Sequence, residues 1–325
     1  MIKDKFWLLL LVFFLFISLK TFAKINERIN DISNFITKER SLVAIDNNIR
    51  EITPLILDSV EIKKNLINSK FNFLPGDNKV ICLDNFFNNE WKKNKNGIEI
   101  RYHYIWEDTA NSGYSELGDV IKNLGANITE LRKAPTPENL TKASVYIIVD
   151  PDTPLETKQP NYIESNSIKN IVNWVKKGGV LALFANDKGN CEFTHLNKLS
   201  GVFGIHFNED SRNHVTGNDY DMGKFDNLPS NFVFNGVNKI YLKEISTLKL
   251  TKNAKSILTD KGDVIMATSK YGKGFVFAVG DPWLYNEYIS HRKLPASFNN
   301  KKAAENLFRF LLSKAIKVNQ QNLNN

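Results

Sequence analysis

The chain has 325 residues, enough for one large domain or two ordinary ones. Apolar residues make up 42% and charged residues 24%, which excludes global disorder. The net charge is +8, but lysines alternate with acids throughout, the pattern of a solvated surface rather than a nucleic-acid footprint. Two cysteines make no disulfide framework, and they lack zinc-ligand spacing.

In chain order, Phe6 to Leu19 is an uncharged apolar run flanked by Lys3 and Lys5 before it and Lys20 after it. It is short of the roughly 20 residues a bilayer span needs, and Thr21-Phe22-Ala23 puts small residues where a signal peptidase reads. Residues 1–23 are therefore expected to be a cleaved export signal, with an anchor over 6–19 as the alternative. A periplasmic or secreted location weakens readings that need ATP, a nicotinamide cofactor or cytosolic nucleic acid. Residues 24–78 carry Ile25, Ile29, Ile32 and Ile36 at helical spacing, and Pro75-Gly76-Asp77 is expected to close that helical segment with a turn.

From Lys79 the pattern changes to short apolar strands alternating with amphipathic helices. Strands are expected at Val80–Leu83, Ile98–Ile105, Ile128–Leu131, Val145–Val149 and Val180–Phe184, with helices over Ser115–Leu124, after Thr136, and over Ser167–Lys177. Farther on, a helix over Phe193–Phe203 and strands within Lys239–Leu250 and over Val264–Thr268 are expected. A Tyr271–Gly274 turn should lead into a strand over Phe275–Val279, and Ala303–Ile316 should be the closing helix. Residues 318–325 are an Asn/Gln-rich tail. This grammar predicts an α/β three-layer sandwich with a mostly parallel sheet over 79–317. No helix follows Gly272-Lys273-Gly274, so it is not a phosphate loop, and no cofactor is expected.

In open α/β sheets, ligands bind beyond the carboxyl ends of the strands. Polar clusters stand at each expected strand end: Asp84-Asn85; Trp106-Glu107-Asp108 with Asn111; Asp150 and Asp152; Asn186-Asp187; Glu209 in the run before Arg212; and Asp281 with Trp283. Carboxylates and amides interleaved with Trp and Tyr suit sugar hydroxyls and ring faces. The competing explanation is turn chemistry, because Asp and Asn also end strands for local reasons. Cys82 lies inside a strand and Cys191 beyond one, so neither sits on a nucleophile elbow. Calcium at Asp150, Asp152 and Asp187 is conceivable by ligand type, but no calcium loop is present and no metal is assigned.

Four stretches carry a family resemblance: Arg101 to Leu117 (RYHYIWEDTANSGYSEL), Tyr146 to Thr153 (YIIVDPDT), Asn186 to Asn190 (NDKGN) and Gly280-Asp281-Pro282-Trp283. They resemble the amidotransferase-like α/β domain attached to bacterial unsaturated rhamnogalacturonyl and glucuronyl hydrolases. That resemblance implies a class I glutamine amidotransferase-like (flavodoxin-like) sandwich and a setting in the breakdown of uronate-containing polysaccharides such as pectin or ulvan. Residues 24–78 are too few to form those hydrolases' helical barrel, and the amidotransferase cysteine elbow is absent. The hydrolase activity is therefore not expected here.

Two functions follow as expectations. One is a carbon–oxygen lyase that removes water from the non-reducing-end uronic acid of an oligosaccharide, leaving a 4,5-unsaturated uronate. It needs a cation on the carboxylate (Arg212 or Arg101), a base for the C5 proton (His195 or His103) and an acid for the departing hydroxyl (Tyr114 or Tyr104), with Asp108 in support. The other is a non-catalytic carbohydrate-binding or scaffold protein that partners an unsaturated uronyl hydrolase or a polysaccharide lyase. In both, the partner molecule is a uronate-containing oligosaccharide and not nucleic acid.

Overall fold

A computed structural model of the protein describes residues 24, 26–28 and 74–316. The chain divides into two compact units, Met1–Asn72 and Phe73–Asn325. The expected leader, most of the helical segment and the tail lie outside the described residues. Pro75-Gly76-Asp77 does form a turn, and no helix among the described residues is long and apolar enough to cross a membrane.

The central sheet has nine strands. Five are parallel: β1 (Val80–Asp84), β4 (Asn127–Leu131), β5 (Val145–Val149), β6 (Val180–Phe184) and β13 (Gly274–Val279). Their order across the sheet is β4-β1-β5-β6-β13, so by position in the chain they run 2-1-3-4-5, the flavodoxin-like arrangement. Beyond β13 the sheet turns antiparallel through β12 (Asp263–Tyr271), β10 (Leu248–Leu250) and β7 (Ile205–Phe207), and β11 (Lys255–Asp260) also pairs with β12. The Tyr271–Gly274 turn joins β12 to β13 as expected.

Every residue of β1, β5 and β6 is buried, and successive side chains alternate between two cores. Ile81, Leu83, Val145 and Ile147 join the core under α1 (Ser115–Asn123) and α6 (Asn300–Lys314), while Cys82, Tyr146 and Ile148 join the core under α3 (Ser165–Lys176) and α4 (Phe193–Ser200). A short helix α2 (Pro137–Leu140) starts at Thr136, whose hydroxyl accepts from the Asn139 amide. The three-layer α/β sandwich is thus the observed fold.

Some expected elements are shorter or broken. The Ile98–Ile105 strand shrinks to β3 (Glu99–Arg101), paired only with β2 (Trp91–Lys93) in a hairpin outside the main sheet. Past Arg101 the backbone takes positive φ at His103 (66°) and Tyr104 (49°), which an extended strand cannot accommodate. Lys239–Leu250 yields β9 (Ile240–Tyr241), paired with β8 (Lys224–Phe225), and then β10.

Loops at the carboxyl end of the sheet are pinned together by Asn286, at the start of α5 (Asn286–Ile289). Its buried amide donates to the Asp108 and Ala110 carbonyls at 3.0 and 2.8 Å and accepts from the Glu116 N–H at 2.9 Å. Gly113 completes the clasp, because a Cβ there would stand 1.8 Å from the Asp108 carbonyl oxygen. Asn286→Ala leaves these backbone groups without their partner and is expected to cost about 2–3 kcal/mol of stability by chemical denaturation. Exposed Asn111→Ala is expected to stay within about 0.5 kcal/mol. Equal effects of the two would contradict the clasp.

Candidate functional site

The order 2-1-3-4-5 places a topological switch between β1 and β5, where the loops leave toward opposite faces of the sheet and open a crevice. β1 delivers Asp84 and Asn85 there, and β5 delivers Asp150 and Asp152. Asp84 spends both oxygens at once: Oδ1 accepts from the Phe86 and Phe87 amides at 3.2 and 2.7 Å, and Oδ2 takes the Tyr146 hydroxyl. At the end of β13, Asp281 does the same with the Trp283 and Lys243 amides, each at 2.8 Å. For these two, turn chemistry is the observed role. Burial pushes both carboxyls up to about 7.

The acids of β5 behave differently. Asp150 sits in a left-handed conformation (φ 42°) one residue past the strand, a strained geometry typical of functional sites. Its Oδ2 accepts from the Asn186 amide at 2.9 Å, whereas its buried Oδ1 has no partner among the described residues. Asp152 Oδ2 takes the Asn89 N–H at 3.0 Å, and its Oδ1 is likewise buried and unpartnered. Burial raises Asp150 well above its ordinary range and Asp152 to about 6. Glu156, held by the Thr153 amide and hydroxyl at 2.9 Å, is pushed to about 7, also by burial.

Above these acids lies the segment that follows β3. His103 Nδ1 is 2.5 Å from Glu90 Oε1, and the ring stacks on Tyr104 with centroids 3.9 Å apart. Its backbone N–H donates to Asp108 at 3.0 Å, which fixes the unusual turn. Arg101 reaches over from β3 and donates through Nη2 to the Asn85 carbonyl and to Asn89 Oδ1. Its Nε is buried without a partner, as are both amide atoms of Asn85, a residue only 2% exposed. Trp91 stands beside this guanidinium, 5.7 Å from it, with its N–H on the same Asn89 oxygen at 3.1 Å.

The crevice thus gathers Asn85, Arg101, His103, Tyr104, Asp150, Asp152 and Asn186 from the expected set. It adds Glu90, Trp91, Tyr102 and Glu156, which sequence reasoning missed. Tyr102 lies within the Arg101–Leu117 stretch, and Glu90 stands one residue before Trp91; neither signal alone marks a site.

Other expected residues are placed elsewhere. Arg212 is committed to Asp260 and Asp263 around the β11–β12 turn, with a further bond to the Asp260 carbonyl at 2.9 Å. It is not available to a substrate carboxylate in the crevice. His195 is held by Glu192 at 3.1 Å and stacks on Tyr162, so it does not join His103. Tyr114 is fully buried and donates to the Pro282 carbonyl at 2.7 Å, and burial raises its hydroxyl far above the usual range. A fully buried phenol with its proton so engaged is a poor acid for a substrate. Asp187 is held by Asn190 and Ser211, at 2.6 and 2.5 Å, rather than by the β5 acids. Trp283 is core. Asn111 and Glu209 are exposed, and Trp106 with Glu107 lines a groove at the sheet edge. Both cysteines are buried and burial drives their thiols upward, which makes them inert nucleophiles.

No family model and no curated protein matches the chain. Among solved structures, the N-terminal domain of mmIFT52 is similar at 16% identity and TM-score 0.55, over 72% of this chain and 97% of that one. At that identity the likeness concerns the fold alone. A putative ThuA-like protein from Bacteroides uniformis ATCC 8492 is similar at 12% identity and TM-score 0.42, over 77% of this chain and 98% of that one. A β-galactosidase from Rahnella sp. R3 matches at 14% identity and TM-score 0.40, over 72% of this chain and 31% of its own. The last two carry no argument about function.

The raised carboxyls make a pH prediction. In the unfolded chain these acids titrate near 4, whereas in the fold Asp152 is at about 6 and Asp84, Glu156 and Asp281 at about 7. Between those limits the folded state holds more protons, so stability falls as pH rises through the window. The urea midpoint is expected to be higher at about pH 5 than at about pH 8. Asp84→Asn, which keeps the Oδ1 acceptor, is expected to narrow the gap. A midpoint that rises toward pH 8 would contradict the burial.

Proposed function

We propose that the crevice is the active site of an exported enzyme that eliminates water from the non-reducing-end uronic acid of an oligosaccharide. The observation that carries this reading is the His103–Glu90 pair at 2.5 Å, set beside carboxyls that burial holds near neutrality. Those carboxyls can give up a proton near neutral pH beside the imidazole. Arg101 binds the substrate carboxylate and acidifies C5–H. With Nδ1 on Glu90, His103 takes the C5 proton at Nε2. The C4 hydroxyl departs with the proton of Asp152 or Glu156, a C4–C5 double bond forms, and one water leaves. Tyr104, buried and raised by burial, packs the base instead of supplying the acid.

The family resemblance supports the same setting, since unsaturated uronyl hydrolases consume the product of such a step. A second reading, a non-catalytic saccharide binder working beside those hydrolases or lyases, is favoured by Trp91. That ring is 54% exposed next to Arg101, a surface that could hold a sugar face without reacting with it.

Incubation with oligosaccharides ending in a saturated uronate separates the two. The enzyme reading predicts loss of one water by mass and the ultraviolet absorbance of a conjugated uronate. His103→Ala is expected to lower turnover about 10²–10⁴-fold with little change in melting temperature. Binding without any mass change would establish the binder instead.

A further inference from the structure

A groove of about 640 Å³ runs along β4, the outermost parallel strand. That volume lies within the range of ligand sites, about 300–1,000 Å³. Trp106 and Ile128 give it an apolar floor, and Glu107, Glu130, Arg132 and Lys122 give it a polar rim. The Trp106 ring is fixed by its N–H on the Thr129 carbonyl at 3.0 Å.

The polar side of the groove is a built arrangement. The Glu130 side chain is 10% exposed, and its Oε2 takes a two-pronged contact from Arg132, 2.6 Å from Nη2 and 2.8 Å from Nε. The same Nη2 lies 3.6 Å from Glu107 Oε1. Glu130 Oε1 is buried and receives no N–H or O–H; it faces the Glu107 carboxyl. Burial raises the Glu130 carboxyl, and the neighbouring Glu130 carboxyl lowers that of Glu107. The lining is of mixed sign, Glu107 and Glu130 against Arg132, Lys122 and Lys133.

We propose that this groove binds a neutral pyranose through a vicinal diol, with the sugar's C–H face on half-buried Ile128 and the small part of Trp106, 8%, that is exposed. A ligand of one sign would meet like charge on either side, Glu107 and Glu130 or Arg132, Lys122 and Lys133. A diol fits both partners, because its hydroxyls donate to Glu130 Oε1 and Glu107 while accepting from the guanidinium. The groove also adjoins the crevice electrostatically: Arg101 feels Arg132 and Glu130 of the groove as well as Asp84 and Asp152. The site thus suits a neutral residue next to a reacting uronate, but it does not depend on chemistry in the crevice.

The test is isothermal titration of the full chain with methyl glycosides of neutral hexoses, and with methyl glucuronide as the acidic counterpart. A neutral glycoside is expected to bind with Kd on the order of 1 mM, about 4 kcal/mol. Glu107→Ala and Arg132→Ala should each weaken it tenfold or more. Glu107 is 64% exposed, so Glu107→Ala should keep the wild-type melting temperature; Arg132→Ala also removes the donors of Glu130, so Arg132→Lys, which keeps the charge and loses the fork, gives the second measurement. His103→Ala should leave the neutral glycoside's Kd unchanged. If no neutral glycoside binds, if the glucuronide binds more tightly, or if the groove variants bind like wild type, the inference is overturned. Turnover of uronate oligosaccharides would stand or fall separately.

Discussion

Parallel strands that end in buried carboxyls are the constraint on which the rest of this structure depends. β1, β5 and β13 each finish at an aspartate that is at most 2% exposed: Asp84, Asp150 and Asp281. A carboxylate out of water must be satisfied by donors or take up a proton. Asp84 meets this with the Phe86 and Phe87 N–H groups of the loop that follows and with the Tyr146 hydroxyl, and Asp281 with the Trp283 N–H of its own loop and the Lys243 N–H of another segment. Asp150 and Asp152 each leave one oxygen without a partner among the described residues, and protonation is the alternative open to them. The same physics therefore yields two structural pins and two candidate acids, separated by whether donors reach both oxygens.

This division also explains how much was legible in the sequence. The buried strands and amphipathic helices followed from apolar spacing, because alternation and helical periodicity are local properties. Strand-end clusters were legible as clusters. Their sorting was not, since turn chemistry and site chemistry use the same residue types. Arg212 illustrates the limit: its commitment to Asp260 and Asp263 is made across some fifty residues by a β11–β12 turn that the apolar pattern did not announce. The choice between His103 and His195 turned on which loop folds over the switch point. Glu90 and Glu156 carried no local signature at all, and only the convergence of the β1, β3 and β5 loops makes them partners of His103 and the β5 acids.

Arg101 stands where two regions meet. Its guanidinium has carbonyl and amide partners but forms no ion pair among the described residues, and it is felt by the acids of the crevice and by the Glu130–Arg132 pair of the groove. Burial and the neighbouring Arg132 make its charge costlier to hold. An anionic group arriving beside it would relieve that cost, a gain a neutral group would not bring. The exposed indole of Trp91, tethered through Asn89, supplies the apolar contact next to it.

The central claim is that burial lifts the β5 carboxyls well above the ordinary aspartate range. Carbon-13 NMR of the side-chain carboxyls, assigned through Asp150→Asn and Asp152→Asn, reads this directly. The account predicts that Asp152 titrates at about 6 and that Asp150 stays protonated well above the ordinary aspartate range. Titration of both near 4, the value of a solvated aspartate, would contradict it.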